Sequence, residues 1–314
     1  MGRFERHLEE NIFDLHRSLT AKTYRHGPYQ SFYIRDPKQR HIHKASVRDR
    51  ILHHAVFAAL DPVFEPTFIP ASFSCRTGYG THLGVRVLEG MARRVNRSGT
   101  SPCFVLKCDI QKFFDSVDHG VLLEVLGKRI KDEMVMWLLR EIVGSFVSPR
   151  ATLFERKGLP IGNLTSQLFA NVYMNEFDQF AKHELRVKHY ARYTDDFAVT
   201  SPDRAYLTSL LPRMEGFLER RLALRLHPKK ISLRTLHQGV DFLGYVVFPK
   251  HRVVRAKTRQ RMFAKLRVKV RDYRAESISE EALHASLQSY LGVLSHANAH
   301  KVAEELRNEL WFAD

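Results

Sequence analysis

His189-Tyr190-Ala191-Arg192-Tyr193-Thr194-Asp195-Asp196-Phe197-Ala198-Val199-Thr200 decides how this 314-residue chain is read. Two short apolar runs, His189–Tyr193 and Phe197–Thr200, flank a tight turn carrying two acids, the pattern of a hairpin of strands. Asp is common in turns for conformational reasons, so the pair alone is ambiguous. Upstream, Lys107-Cys108-Asp109-Ile110 closes an apolar run of strand length that begins at Cys103. Asp109 alone also suits a helix N-cap. Together the acids have a chemical reading. Phosphoryl transfer uses two divalent cations about 3.5–4 Å apart. Mg²⁺ takes few protein ligands, chiefly carboxylates, and completes its shell with water and substrate phosphates. Acids at a strand end and in a hairpin turn meet that need.

Composition points the same way. Fifty Lys+Arg against 34 Asp+Glu leave a net charge of +16, which favours a polyanionic partner, with nucleic acid ahead of an anionic membrane surface or small acidic substrates. The apolar share of 44% suits a globular chain with a full core. Cys75, Cys103 and Cys108 form no CxxC pair, which argues against a disulfide framework or a cysteine zinc site and fits a reducing cytosol. The longest apolar stretch, Ala55–Leu60, falls far short of the roughly 20 residues of a membrane span. The N-terminus has neither a signal region nor a myristoylation pattern. A cytoplasmic protein is expected. His41/His43 and His53/His54 lack a convincing third ligand, and no metal is assigned to them.

Periodicity predicts helices over Phe4–Leu19, Arg48–Leu60 (ended by Asp61-Pro62), Thr81–Val95, Gly120–Arg129, Glu133–Val143, Leu164–Ala181 and Leu207–Leu222. Further strands are expected near Lys230–Leu233 and Val240–Val247, with loop or hairpin over Gly144–Gly162. Lys250–Arg274 carries eleven Lys/Arg and one acid. Met262, Phe263, Leu266, Val270 and Tyr273 share a helical face there, so the stretch reads as a basic amphipathic helix that tracks phosphates. Helices mixed with hairpins give an α+β class.

Several runs, taken in order, resemble the motif set of reverse transcriptases. They are Asp109-Ile110 followed by Phe113-Phe114-Asp115, then Gly158-Leu159-Pro160-Ile161-Gly162-Asn163-Leu164-Thr165-Ser166-Gln167, then Tyr193-Thr194-Asp195-Asp196. Ser46–Ile51, Phe64-Glu65-Pro66 and Ser72–Gly80 are similar to the fingers of bacterial and group II intron-type enzymes. Val240–Tyr245 resembles the primer-grip hairpin. Ser289-Tyr290-Leu291-Gly292 with Ser295-His296-Ala297-Asn298 resembles a short thumb. Most of the family has Gln where Ile161 stands and Ser-Pro where Ser166-Gln167 stands. This chain's form resembles the enzymes of diversity-generating retroelements, which copy a template RNA with errors at adenines and work with a small basic accessory protein.

The resemblance implies a right-hand polymerase fold: N-terminal extension and fingers over 1–100, palm over 101–248 and a basic helical thumb over 249–314. It implies an RNA-directed DNA polymerase that uses template RNA, a DNA or RNA primer, dNTPs and two Mg²⁺, with Mn²⁺ as substitute. A bacterial, archaeal or phage origin goes with it. Asp109 and Asp195 would bridge both ions, Asp196 would be the third carboxylate and Ile110 would offer its backbone carbonyl. Phe114 would be the steric gate against a ribose 2′-OH. Lys38 and Arg40 would meet the triphosphate, and Ile161, Gly162 and Gln167 would line the nucleotide site. Lys230, or its neighbour Lys229, would be the general acid for pyrophosphate. Ile161 cannot make the polar contacts of Gln, which narrows the free-energy gap between right and wrong pairs. The alternatives are a retron or CRISPR-associated reverse transcriptase, or a non-catalytic, maturase-like RNA-binding protein. With about 65 residues after Phe248 in this sequence, no RNase H domain is expected in that stretch.

Overall fold

A computed structural model describes residues 2–36 and 38–309. In chain order the elements are α1 (Gly2–Glu5), α2 (Leu8–Thr20), β1 (Gln30–Ile34), β2 (Arg40–Lys44), α3 (Val47–Phe64), α4 (Thr81–Asn96), β3 (Phe104–Asp109), α5 (Phe113–Ser116), α6 (His119–Gly127), α7 (Glu133–Gly144) and α8 (Leu164–Gln179). There follow β4 (Tyr190–Tyr193), β5 (Asp196–Ser201), α9 (Arg204–Leu222), β6 (Ser232–Thr235), β7 (Val240–Phe242), β8 (Tyr245–Val247), β9 (Arg252–Val254), α10 (Ala256–Arg274), α11 (Glu280–Leu294) and α12 (His300–Asn308). Among the described residues the sheets are β1-β2, β4-β5-β3-β6 and β7-β8-β9. The class is α+β.

Two compact units divide the chain. One holds residues 1–79, 108–197 and 209–231; the other holds 80–107, 198–208 and 232–314. In the first unit, α8 is buried over most of its circumference, Thr165, Ser166, Asn171 and Asp178 included. Leu168, Phe169, Val172, Tyr173, Met174 and Phe177 are all buried, as an interior helix requires. The helix α3 starts at Ser46, whose Oγ accepts the Asp49 N–H. It runs through Pro62 to Phe64 instead of stopping at Asp61. Leu60 and Phe64 are both buried and hold the last turn in the core, offsetting the hydrogen bond that Pro62 removes.

In the second unit, Val85, Leu88, Ala92 and Val95 of α4 pack with Val105, Phe242, Tyr245 and Val247. Met262, Leu266 and Val270 of α10 pack with Leu283, Leu287 and Leu306. The run Val240–Val247, expected as strand and by resemblance as a hairpin, is a hairpin. Leu243 and Gly244, at φ 51 and 90, make the two-residue turn whose left-handed backbone matches strand twist. The basic helix begins at Ala256, not Lys250, because Arg252–Val254 pairs with β8 as a third strand. Its buried stripe narrows to Met262, Leu266 and Val270, leaving Tyr273 exposed.

Candidate active site

The strand β3 delivers Asp109 between two backbones of the first unit. Just beyond it, the Ile110 N–H donates to the Asp195 carbonyl (3.2 Å) and the Gln111 N–H to the Arg225 carbonyl (2.9 Å). The Asp109 carbonyl accepts the His227 N–H (2.8 Å). The Asp195-Asp196 turn thus lies on one side of Asp109 and residues 225–227 on the other. Pro228 opens a single tight helical turn, Pro228–Lys230, closed by the Lys230 N–H on the His227 carbonyl. That turn carries Lys230 round so that its Nζ donates to Asp109 Oδ1 at 2.6 Å. Of the two neighbouring lysines, it is Lys230 that reaches the carboxylate.

Burial and the neighbouring Asp109 carboxylate push the Asp195 carboxyl above the ordinary range, while the charges of Lys230 and Lys38 pull it back. Burial likewise raises the Tyr193 phenol, against the opposing charge of Arg40. Lys38 and Arg40 are exposed, at the turn and first strand residue of the β1-β2 hairpin, yet both act electrostatically on the acid-bearing turn. A carboxylate held beside another buried acid gains from a divalent cation placed against it. Among the described residues no three His, Cys, Asp or Glu side chains converge as a ready-made metal cage. Two carboxylates completed by water and substrate phosphates is the ordinary Mg²⁺ arrangement, and this donor set fits it. Asp196 opens β5 and is half-buried.

The surrounding walls are stitched together by backbone. Phe113 is 2% exposed and belongs to the core, whereas its neighbour Phe114 is half-buried, their rings edge to face at 5.4 Å. The Phe114 carbonyl accepts the Leu159 N–H (2.7 Å), which ties it to the Gly158–Gln167 segment. In that segment the Ile161 carbonyl accepts the His43 N–H (2.9 Å). Asn163 clamps the C-terminal end of β2, donating from Nδ2 to the His43 carbonyl (2.8 Å) and accepting the Ala45 N–H on Oδ1 (3.2 Å). Gly162 sits at φ 113, where a Cβ would come within 2.8 Å of Ile42 Cγ2, so glycine alone allows the hairpin this close. Gln167 is exposed on the first turn of α8.

Sequence reasoning missed what lies behind the acid-bearing turn. Arg192 and Asp178 are both fully buried and form a two-pronged ion pair, Nε to Oδ1 at 2.7 Å and Nη2 to Oδ2 at 2.6 Å. Arg192 Nη1 also donates to the Thr194 carbonyl (3.0 Å). The sequence marks each only singly, a cation in a short strand and an acid within a helix, with nothing local to pair them.

Residues 34–247 match the reverse transcriptase (RNA-dependent DNA polymerase) family. The chain belongs to that family. It is 26% identical over 281 residues to protein YkfC of Escherichia coli, covering 78% of this chain and 71% of that one. It is 25% identical over 259 residues to the group II intron-encoded protein LtrA of Lactococcus lactis, covering 79% of this chain but only 42% of LtrA. A telomerase structure from Candida albicans superposes with a TM-score of 0.56 at 11% identity, over 92% of this chain and 55% of that one. That likeness shows the fold, the right-hand polymerase fold. Within this reverse transcriptase, the matched region contains Asp109, Asp195, Asp196, Lys230 and the Gly158–Gln167 segment. No helix among the described residues is long and apolar enough to cross a membrane.

Proposed function

We propose that this reverse transcriptase copies template RNA from a DNA or RNA primer, using dNTPs. The observation that carries the reading is Asp109 and Asp195 on hydrogen-bonded backbones with Lys230 on the former. Asp109, Asp195 and Asp196, with the Ile110 carbonyl, would hold two Mg²⁺, with Mn²⁺ as a substitute. Such ions, when bound, activate the attacking hydroxyl and neutralise the leaving group. The chain's own residues do the rest. Lys38 and Arg40 meet the triphosphate, Phe114 excludes a 2′-OH, and Lys230 Nζ carries the proton for the departing pyrophosphate. The hand divides into fingers (1–100), palm (101–248) and thumb (249–314). Extension of a primed homopolymer RNA with Mg²⁺ tests the reading. Asp195→Asn should abolish dNTP incorporation and keep RNA binding; equal activity in both proteins overturns it and favours RNA binding without catalysis.

Within that activity we infer error-prone copying of the diversity-generating type, aided by a small basic accessory protein. Ile161 supports this reading, because an apolar side chain in the nucleotide-site wall cannot hydrogen-bond a correctly paired base. Ile161→Gln should lower misincorporation opposite template adenine. An unchanged error spectrum counts against it.

A further inference from the structure

We propose that Arg192 is a positioning residue: its buried ion pair with Asp178 holds the Thr194–Asp195 turn in register with Asp109. The proposal rests on the polymerase reading for its kinetic consequence, but not for its structural one. Asp178 Oδ1 also accepts the Tyr190 hydroxyl (2.7 Å), and Arg192 Nη2 also donates to Ser72 Oγ (2.9 Å). A buried ion pair of this kind adds little stability over well-packed apolar side chains, because desolvation offsets the attraction. What it supplies is direction. The planar guanidinium, locked two-pronged on Asp178, leaves Nη1 aimed at the Thr194 carbonyl.

That carbonyl belongs to a strained residue. Thr194 is β-branched and sits at φ 54, a conformation that persists only when its surroundings hold it. Two contacts do so: Arg192 Nη1 on its carbonyl, and its own Oγ1 donating to Ser74 Oγ at 2.6 Å. The Arg192 backbone is fixed in turn, its N–H on the Ala71 carbonyl and its carbonyl accepting the Phe73 N–H, both at 2.9 Å. The next residue is Asp195, whose carbonyl receives the Ile110 N–H. A line of contacts therefore runs from Asp178 through Arg192 and Thr194 to the paired acids.

Removing Arg192 alone would strand the Asp178 charge and confuse misfolding with misplacement. The informative variant replaces the whole polar group, Arg192→Met/Asp178→Leu/Tyr190→Phe, with Arg192→Lys alongside it. One ammonium cannot span Asp178, Ser72 and Thr194 as the fork does. Two readouts are taken in each folded variant: amide hydrogen exchange of the 193–196 peptide, and the Mg²⁺ concentration giving half-maximal primer extension. We expect faster exchange at the turn, a several-fold higher Mg²⁺ requirement, and extension reduced on the order of a hundredfold, the scale of a small misplacement. Parent-like exchange and parent-like Mg²⁺ dependence in a folded variant overturn the proposal. If the parent extends no primer, the polymerase reading falls, and exchange at the turn still decides the positioning role. If the triple variant does not fold, Arg192→Lys decides with the same two readouts.

Discussion

Lys230 Nζ lies 2.6 Å from Asp109 Oδ1, bridging the end of β3 and the tight turn that follows Pro228. The contact places a cation beside one carboxylate, where the proposed reaction would release pyrophosphate. Lys230→Met should lower single-nucleotide incorporation by about 10²–10⁴-fold, the range of a general acid. Lys229→Met, one residue away, should leave it within about twofold. Rapid-quench incorporation on a primed template measures both, and equal effects would remove the distinction between them.

Adjacent phenylalanines should fail in different ways. Phe113 is 2% exposed, so Phe113→Ala should cost about 3–5 kcal/mol in urea unfolding. Phe114 is half-buried, so Phe114→Ala should cost less and instead admit ribonucleotides. Its dNTP over rNTP preference in kcat/KM should fall by roughly tenfold or more. Unchanged sugar selectivity would take Phe114 out of the nucleotide site.

The buried imidazole of His53 predicts an acid weakness that is separate from catalysis. Burial, then the neighbouring His26, pushes it down to about 4, with Asp49 opposing. Among the described residues its Nδ1 has no hydrogen-bond partner. An unfolded histidine titrates near 6.5. Between about pH 6.5 and 4 the unfolded chain therefore binds a proton that the folded chain refuses. Stability from this group is complete above 6.5 and is lost as pH falls toward 4, by up to about 1.4 kcal/mol per pH unit. Urea midpoints across that window should flatten in His53→Phe, which keeps the ring stacked on His26. Parallel curves for parent and variant would contradict this.

Most of the helices and the three acids were legible because their signals are local. A 3.6-residue apolar period marks α4, α7 and α8, and an acid after an apolar run marks Asp109. What stayed hidden depends on pairing between distant segments. Arg252–Val254 reads as helix until β8 offers it an edge. Asn163 reads only as one residue of the Gly158–Gln167 motif until β2 lies beside it. Arg192 reads as an ordinary strand cation, since nothing local announces that Asp178, fourteen residues back, points at it. Position 162 is the intermediate case: glycine signals freedom, but only the approach of Ile42 shows why it is needed.

The cations of α10 should not contribute equally to nucleic-acid binding. Arg259 donates to Glu305 (2.6 Å), and Arg267 meets both oxygens of Glu309 (2.7 Å each). These two straps tie α10 to α12 and its C-terminal flank above the apolar contacts of Leu306. Exposed straps of this kind add little to stability, so neither Arg259→Gln nor Arg267→Gln should unfold the helices. Lys257 and Arg271 are exposed on the same helix, outside those straps. A phosphate contact releases counterions, so each one adds about 0.7–0.9 to the slope of log affinity against log salt. Lys257→Gln/Arg271→Gln should therefore flatten that slope by about 1.4–1.8 for a primed RNA template, as measured by fluorescence anisotropy. Arg259→Gln/Arg267→Gln should change it by clearly less, because their charge is already met within the protein. Equal slopes for the two double variants would mean that phosphates displace Glu305 and Glu309 on binding, and the straps would then open with the substrate.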